Sequence, residues 1–315
     1  MNEQPQHEEW TESSMAYPPK PVIAERGGNS MLRSLIGLFA YAILFYLFFE
    51  QSIVYVATIL LVIIIHEMGH FAAMRIFNYS NVKIFIVPLL GAFTSGKKQY
   101  VSQRQMSIII LAGPIPGIII GCLLLYFFGT QNDNVANLAY TFLLLNIFNL
   151  LPFYPLDGGR LLETLFSRDN FTIRLVFGII SILVLGGLFL LGKSFLMLII
   201  PIMIALELRA EYRNEKIRAY LRQEKINYYV DYDNLPNRDY WLIRDCILFS
   251  FSKKYAGIEP GRYEYTIVES ALVQHVSSVL KTGFGKDLKV FGYLLMLLLY
   301  IAAFAVPAYL YFSLK

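Results

Sequence analysis

Ile59-Leu60-Leu61-Val62-Ile63-Ile64-Ile65-His66-Glu67-Met68-Gly69-His70-Phe71-Ala72-Ala73-Met74 is the stretch on which the fold turns. No proline interrupts it, and it lies inside a longer hydrophobic segment, Ser52–Phe77. Crossing the hydrocarbon of a bilayer takes about 20 mostly apolar residues in a helix. On such a helix, residues four apart lie one turn apart on the same face. His66 and His70 therefore face the same way and can share one metal ion. Glu67 lies beside them, within reach of a water held by that metal. Two imidazoles and a carboxylate in this H-E-x-x-H spacing form the ligand pair and general base of a zinc hydrolase.

In a soluble chain this five-residue pattern arises by chance often enough to be weak. Inside an apolar span it is not. A central Asp, Lys or Arg costs about 2.5–3.5 kcal/mol on insertion scales. Two His and a Glu in one span need compensation, and a fraction of the roughly 10–16 kcal/mol of a structural zinc site supplies it.

The rest of the composition agrees. The chain has 315 residues, of which 56% are hydrophobic and only 16% charged, against about a quarter charged in an ordinary soluble domain. The apolar residues form runs at Met31–Phe49, Ser52–Phe77, Gln105–Gly129, Val135–Leu151, Phe171–Gly192, Ser194–Glu207 and Leu288–Phe312. The expected fold is an all-α polytopic membrane protein with about seven spans. Lys20, Arg26 and Arg33 lie at or before the first run, and Arg75, Lys83, Lys97, Lys98 and Arg104 flank the link between the second and third. Arg160, Arg168 and Arg174 lie between the fourth and fifth. The opposite links, around Glu50–Gln51 and Gln131–Asn134, carry no Lys or Arg, with Lys193 as the exception. The positive-inside rule then makes the N-terminus cytoplasmic.

Four regions follow. Residues 1–30 are polar, contain prolines but no apolar core of a signal peptide, and read as a flexible cytoplasmic tail. Residues 31–207 form a six-helix core, 208–287 a small cytoplasmic insert opening with a helix, and 288–315 a last span. Within the core, residues 82–100 are rich in β-branched and aromatic side chains and turn at Gly91 and Gly96. They read as a short membrane-reentrant β-hairpin, which survives at that depth only where protein or a wet cavity satisfies its backbone. Cys122 and Cys246 can build neither a disulfide framework nor a cysteine metal cluster. No basic strip interleaved with aromatics suggests nucleic acid.

A catalytic zinc takes three protein ligands and leaves a fourth position open. His7, in the tail, and His275, in the insert, read as ordinary solvated residues. The remaining candidate is Asp157, in Asn149-Leu150-Leu151-Pro152-Phe153-Tyr154-Pro155-Leu156-Asp157-Gly158-Gly159-Arg160. Pro152 and Pro155 cannot continue a helix, so the fourth span must break and release a carboxylate on the cytoplasmic side. Gly158 and Gly159 permit close backbone approach. Asp157 reads equally well as a helix N-cap. Depth favours ligation: the second and fourth spans run the same way, and both motifs fall near their inner ends. Asn146 and Asn149, one turn apart, either bond a neighbouring helix or donate to a developing oxyanion, the second role suiting Asn149 better. In the third span, Gly113-Pro114-Ile115-Pro116-Gly117 and Gly121 read as close helix packing.

A membrane-embedded H-E-x-x-H followed by N-x-x-P-x-x-P-L-D-G-G resembles the site-2 protease family of intramembrane metalloproteases. The resemblance covers roughly residues 52–168. It implies zinc held by His66, His70 and Asp157, Glu67 as catalytic base, and Asn149 as the group that steadies the oxyanion. It also implies that the 82–100 hairpin holds an extended segment of a membrane-spanning or membrane-associated protein substrate as an added strand. Where the family often carries A-G-P-x-x-N in its third span, this chain has Ala112-Gly113-Pro114-Ile115-Pro116-Gly117, with glycine in place of asparagine. No PDZ domain or CBS pair is visible. The expected function is an intramembrane zinc metalloendopeptidase, in a lipid bilayer that composition suggests is a bacterial inner membrane. The alternative is a non-proteolytic zinc-binding membrane protein, a transporter or metal sensor, since intramembrane His and Asp also suit a permeation path.

Overall fold

The apolar run around His66 forms helix α1, Ile53–Ile76. The computed structural model describes residues 17–22, 53–87, 91–129, 131–166, 171–192 and 196–314, with a few helical positions between 36 and 43. The expected first span, Met31–Phe49, therefore falls almost wholly outside the described residues. After α1 the chain turns through Asn78, whose φ of 58° is one that Asn tolerates better than most residues. It then forms β1, Ser80–Val87, and β2, Gly91–Lys97. These pair antiparallel, Val87 opposite Gly91 and Ile84 opposite Thr94. The expected hairpin is present, starting at Ser80 rather than at 82, and its tip at 88–90 lies outside the described residues. Tyr100, expected as its last residue, instead opens β3, Tyr100–Ser102, which pairs parallel with β4, Gly283–Gly285. The fold is thus mainly helical with two small two-stranded sheets.

Ser102 caps the next helix, its side chain accepting from the Gln105 N–H. That helix, α2 (Gln103–Ala112), is followed at Gly113 by α3 (Pro114–Phe128). Helix α4 (Asp133–Asn149) returns, capped by Asn132, and α5 (Asp157–Phe166) begins after the proline-containing break. Helices α6 (Phe171–Gly192) and α7 (Leu196–Gln223) follow, then α8 (Asn237–Ser250), α9 (Glu269–Val279) and α10 (Val290–Ser313).

Ile110, Ile118, Leu143, Leu150, Leu161 and Met296 belong to a core shared by α2, α3, α4, α5 and α10. On the outer side of α3, Ile119, Leu123, Tyr126 and Phe127 are exposed. Their helical spacing makes an apolar stripe suited to hydrocarbon. Three stretches among the described residues are long and apolar enough to cross a membrane: Ile53–Ile76, Gln103–Phe128 and Val290–Ser313. The count of about seven is not reached by this measure. Helix α4 has only 17 residues and includes Asn134, Asn137, Asn146 and Asn149, while α7 continues from apolar into charged sequence.

The chain divides into two compact units. The larger contains α1 to α6, α7 as far as Tyr212, α10 and both small sheets. The smaller is Arg213–Lys281 together with the N-terminal segment, packed around Tyr240, Trp241, Ile243, Ile247, Leu272 and Val276. Helix α7 runs unbroken through 208 to Gln223, since backbone helix bonding is indifferent to the change from apolar to charged side chains. Residues 283–285 pair with β3 in the larger unit. Within the expected tail, residues 17–22 are held by hydrogen bonds to Tyr232, Asn237, Trp241 and Tyr265.

Candidate metal centre

Three side-chain atoms converge beneath the hairpin. His66 Nε2 lies 3.0 Å and His70 Nε2 3.1 Å from Asp157 Oδ2, and the two nitrogens are 3.1 Å apart. All three side chains are buried, at 6–7% exposure. The triangle is nearly equilateral. Bonds of about 2.0–2.1 Å in a tetrahedral zinc site imply ligand-to-ligand edges of roughly 3.3 Å. The donor atoms need to spread only by tenths of an ångström, and two imidazoles with one carboxylate are a donor set that zinc takes. The residues present therefore fit a zinc ion. His66, Glu67 and His70 also offer donor atoms within 4.8 Å of one another. Asp157 completes the better triangle, because its Oδ2 is close to both imidazoles whereas Glu67 is engaged elsewhere.

Each element brings its ligand for a local reason. Helix α1 supplies His66 and His70 from one face. Its partner α2 comes very close: a Cβ on Gly69 would lie 1.9 Å from the Ala112 carbonyl oxygen, so only glycine permits the approach. Asp157 is the first residue of α5, reached after the chain turns through Leu151–Leu156. Gly158 and Gly159 let that first turn lie directly on the break, since a Cβ at either would meet the backbone of Leu150 or Phe153 within 2.5 Å. The N-terminal turn of a helix also favours a carboxylate, so the capping and ligand readings of Asp157 are compatible. Arg160 Nη1 lies 3.6 Å from the other oxygen, Oδ1.

The second nitrogen of each imidazole is also occupied. His66 Nδ1 is 2.9 Å from Asn146 Oδ1, and His70 Nδ1 is 2.8 Å from the Ile109 carbonyl. Carbonyl oxygens can only accept, so both Nδ1 atoms carry the proton and both Nε2 atoms present lone pairs. Such partners fix the tautomer and ring orientation of metal-ligating histidines. Asn146 is held in turn by donating to the Phe142 carbonyl at 2.8 Å. It is 1% exposed, and its role is that of an acceptor for His66.

The glycines of the third span are therefore more than packing residues. A Cβ on Gly113 would lie 2.3 Å from His70 Nε2, and one on Gly117 would lie 2.2 Å from Asn146 Nδ2. The glycine that departs from the family pattern at 117 makes room for the Asn146 amide. Sequence spacing gave only the glycine interval, which equally fits helix contact.

Glu67 is buried beside the triangle. Thr94 Oγ1, on β2, lies 2.6 Å from Glu67 Oε2 and 3.2 Å from its carbonyl oxygen. This tie from hairpin to carboxylate has no counterpart in the sequence motifs, since a lone threonine in a strand carries no signal. Asn149 lies on the wall of the same cavity, with one amide hydrogen donated to the Leu145 carbonyl at 3.0 Å. The cavity is about 650 Å3 and is also lined by Ala92, Phe93, Ser95, Arg160 and Glu207. His275 lies in the smaller unit, bonded to Tyr255, and His7 is outside the described residues.

Part of the chain is similar to known proteins. Residues 54–135 match the family model described as Peptidase family M50. A zinc metalloprotease of Methanocaldococcus jannaschii is 34% identical over 112 residues, covering 34% of this chain and 32% of that protein. Stage IV sporulation protein FB of Bacillus subtilis is 32% identical over 115 residues, covering 35% of this chain and 40% of that protein. The match thus spans about a third to two fifths of the length of these curated relatives. A solved structure of the site-2 protease from Methanocaldococcus jannaschii aligns with 54% of this chain and 84% of its own, at 22% identity and a TM-score of 0.41. The resemblance to the site-2 proteases read from the sequence is borne out by the family match.

Proposed function

We propose, on the premise that residues 54–135 carry a Peptidase family M50 segment, that this chain is an intramembrane zinc metalloendopeptidase. The observation that carries the reading is the convergence of His66 Nε2, His70 Nε2 and Asp157 Oδ2 at 3.0–3.1 Å beside a buried Glu67. His66, His70 and Asp157 would hold the zinc. When bound, the ion supplies Lewis acidity, which acidifies water and polarises a carbonyl.

The chain's own groups supply the rest. Thr94 Oγ1 donates to Glu67 Oε2 and so orients the carboxylate with Oε1 as the proton acceptor. Glu67 takes the proton of the attacking water at that oxygen and later delivers it to the leaving amine nitrogen. Asn149, on the cavity wall, has a second amide hydrogen with which to steady charge developing on the scissile carbonyl. A helical substrate hides its peptide bonds and must be extended first. Strand β2 lines the cavity through Ala92–Ser95, and its main chain can pair with an unwound substrate segment. The substrate class is then a membrane-spanning or membrane-associated protein. The full topology, about seven spans with a cytoplasmic N-terminus in a bacterial inner membrane, belongs to the same proposal and rests on the apolar runs and the Lys/Arg asymmetry.

The test is Glu67→Gln, followed by zinc content and by proteomics of membrane peptides in cells carrying either form. Retained zinc with loss of specific cleavage products is the expected result. Bound zinc with an unchanged peptide pattern would overturn the protease reading and favour a transporter or sensor.

A further inference from the structure

Tyr17-Pro18-Pro19-Lys20-Pro21-Val22 carries three prolines in four positions. Each proline fixes its own φ at about −65° and biases the preceding residue toward extended backbone. The segment is therefore stiff, and Pro18, Pro19 and Pro21 have no N–H. What it offers a partner is carbonyl oxygens and ring faces.

The smaller unit reads those features. Trp241 Nε1 donates to the Pro18 carbonyl at 2.7 Å, Tyr265 OH to Pro19 at 2.5 Å and Tyr232 OH to Pro21 at 2.7 Å. The Lys20 N–H, between the prolines, donates to Asn237 Oδ1 at 2.9 Å. Lys20 Nζ donates to the carbonyls of Tyr232, Asp233 and Leu235 at 2.5–2.8 Å. At one end, the Tyr17 ring packs 4.9 Å from that of Tyr263. At the other, Val22 is 92% exposed.

The groove is rigid by construction. Arg244 is wholly buried, and its guanidinium binds Glu269 at 3.1 and 3.3 Å and the Glu264 carbonyl at 3.1 Å. It also lies 4.9 Å over the Trp241 ring. One buried ion pair thus fixes both the tryptophan and the loop that carries Tyr263 and Tyr265. Aromatic hydrogen-bond donors spaced along a rigid wall are the means by which proline-rich peptides in polyproline-II conformation are recognised.

We propose that the Arg213–Lys281 unit is a recognition module for a proline-rich segment of a partner protein, of the pattern aromatic-Pro-Pro-Lys-Pro, and that residues 17–22 occupy its groove in cis. Every contact above uses features that a free peptide of that pattern also carries. The tethered copy competes intramolecularly with a free peptide, so the intact chain masks the module.

The test uses a fluorescently labelled peptide of residues 15–24 and the full chain in detergent, compared with a chain lacking residues 1–22. Trp10 and Trp241 are the two tryptophans, so in the shortened chain Trp241 emission alone reports whether the groove remains folded. Saturable binding to the shortened chain, at least tenfold tighter than to the intact one, is expected. A peptide with Lys20→Ala should bind about tenfold more weakly or worse, as should one with all three prolines replaced by Ala. No binding to a shortened chain whose Trp241 remains buried would overturn the proposal, as would equal binding of the altered peptides. If the shortened chain unfolds, the full-length Lys20→Ala variant takes its place. It should bind the wild-type peptide at least tenfold more tightly than the unaltered chain, and equal affinities would overturn masking in cis.

Discussion

His66 and Asn146, 80 positions apart in sequence, meet with Nδ1 and Oδ1 at 2.9 Å in the protein interior. That contact fixes which nitrogen of His66 is free for a metal. Replacing Asn146 by Leu keeps approximate volume and removes the acceptor. Losing such an outer partner typically costs about 10–100-fold in metal affinity or activity. Competition with a fluorescent chelator should show zinc affinity falling by that factor, and an unchanged affinity would remove Asn146 from the site.

Gly113→Ala tests the opposite error, an added atom. Alanine is the better helix former, so propensity alone predicts a neutral or stabilising change. Its Cβ would lie 2.3 Å from His70 Nε2, the atom proposed to face the ion. The variant should fold, keep its helical circular dichroism, and bind zinc at least about tenfold more weakly. Full zinc occupancy at equal affinity would show that α2 and α3 can shift to absorb the clash.

Thr94→Val removes the hydroxyl held 2.6 Å from Glu67 Oε2 and changes little else in shape. Hydrogen bonds to charged groups contribute about 1.5–3 kcal/mol, which corresponds to roughly a 10–100-fold loss in rate if Glu67 is the base. Zinc content should not change, and Thr94→Ser should recover most of the rate. A rate equal to wild type for the valine variant would exclude orientation of Glu67 by the hairpin.

In the smaller unit, Glu215 accepts from Arg222 at 2.9 Å and lies near Arg218 and Lys281. Burial disfavours its charged form, but Arg222, Lys281 and Arg218 outweigh that and hold its pKa below the ordinary 4.5. A depressed carboxylate adds stability that is fully present above the unfolded pKa and lost as pH falls through the folded one. Unfolding of a Trp10→Phe chain, followed by Trp241 emission, should therefore show stability falling as pH drops below about 4.5. Glu215→Gln should flatten that slope while lowering stability at neutral pH. An unchanged slope would assign the acid sensitivity to other carboxylates.

Sequence reading went furthest where one segment carries its own constraint. His66, Glu67 and His70 share a helix, so their common face follows from helical geometry. Asp157 stood out because two prolines force a break just before it. The hairpin was legible from its β-branched composition and its glycines. The residues alone favour Asn149 over Asn146 for the oxyanion role, whereas burial and bonding give Asn146 the closer tie to the two imidazoles. Thr94 and Gly113 carried no signal, for each acquires its role from a neighbour on another element. Residues 17–22 looked like loose tail because their partners lie more than 200 positions away.

What the sequence alone determined is the apolar runs and the helical spacing of a donor set. Runs of apolar residues demand hydrocarbon or a deep interior, and two imidazoles with a carboxylate at helical spacing demand compensation inside it. The tertiary structure decided which carboxylate faces both imidazoles, which amide orients one of them, and which glycines leave room. Those outcomes depend on distances of a few tenths of an ångström between separate helices, and no periodicity within a single element encodes them.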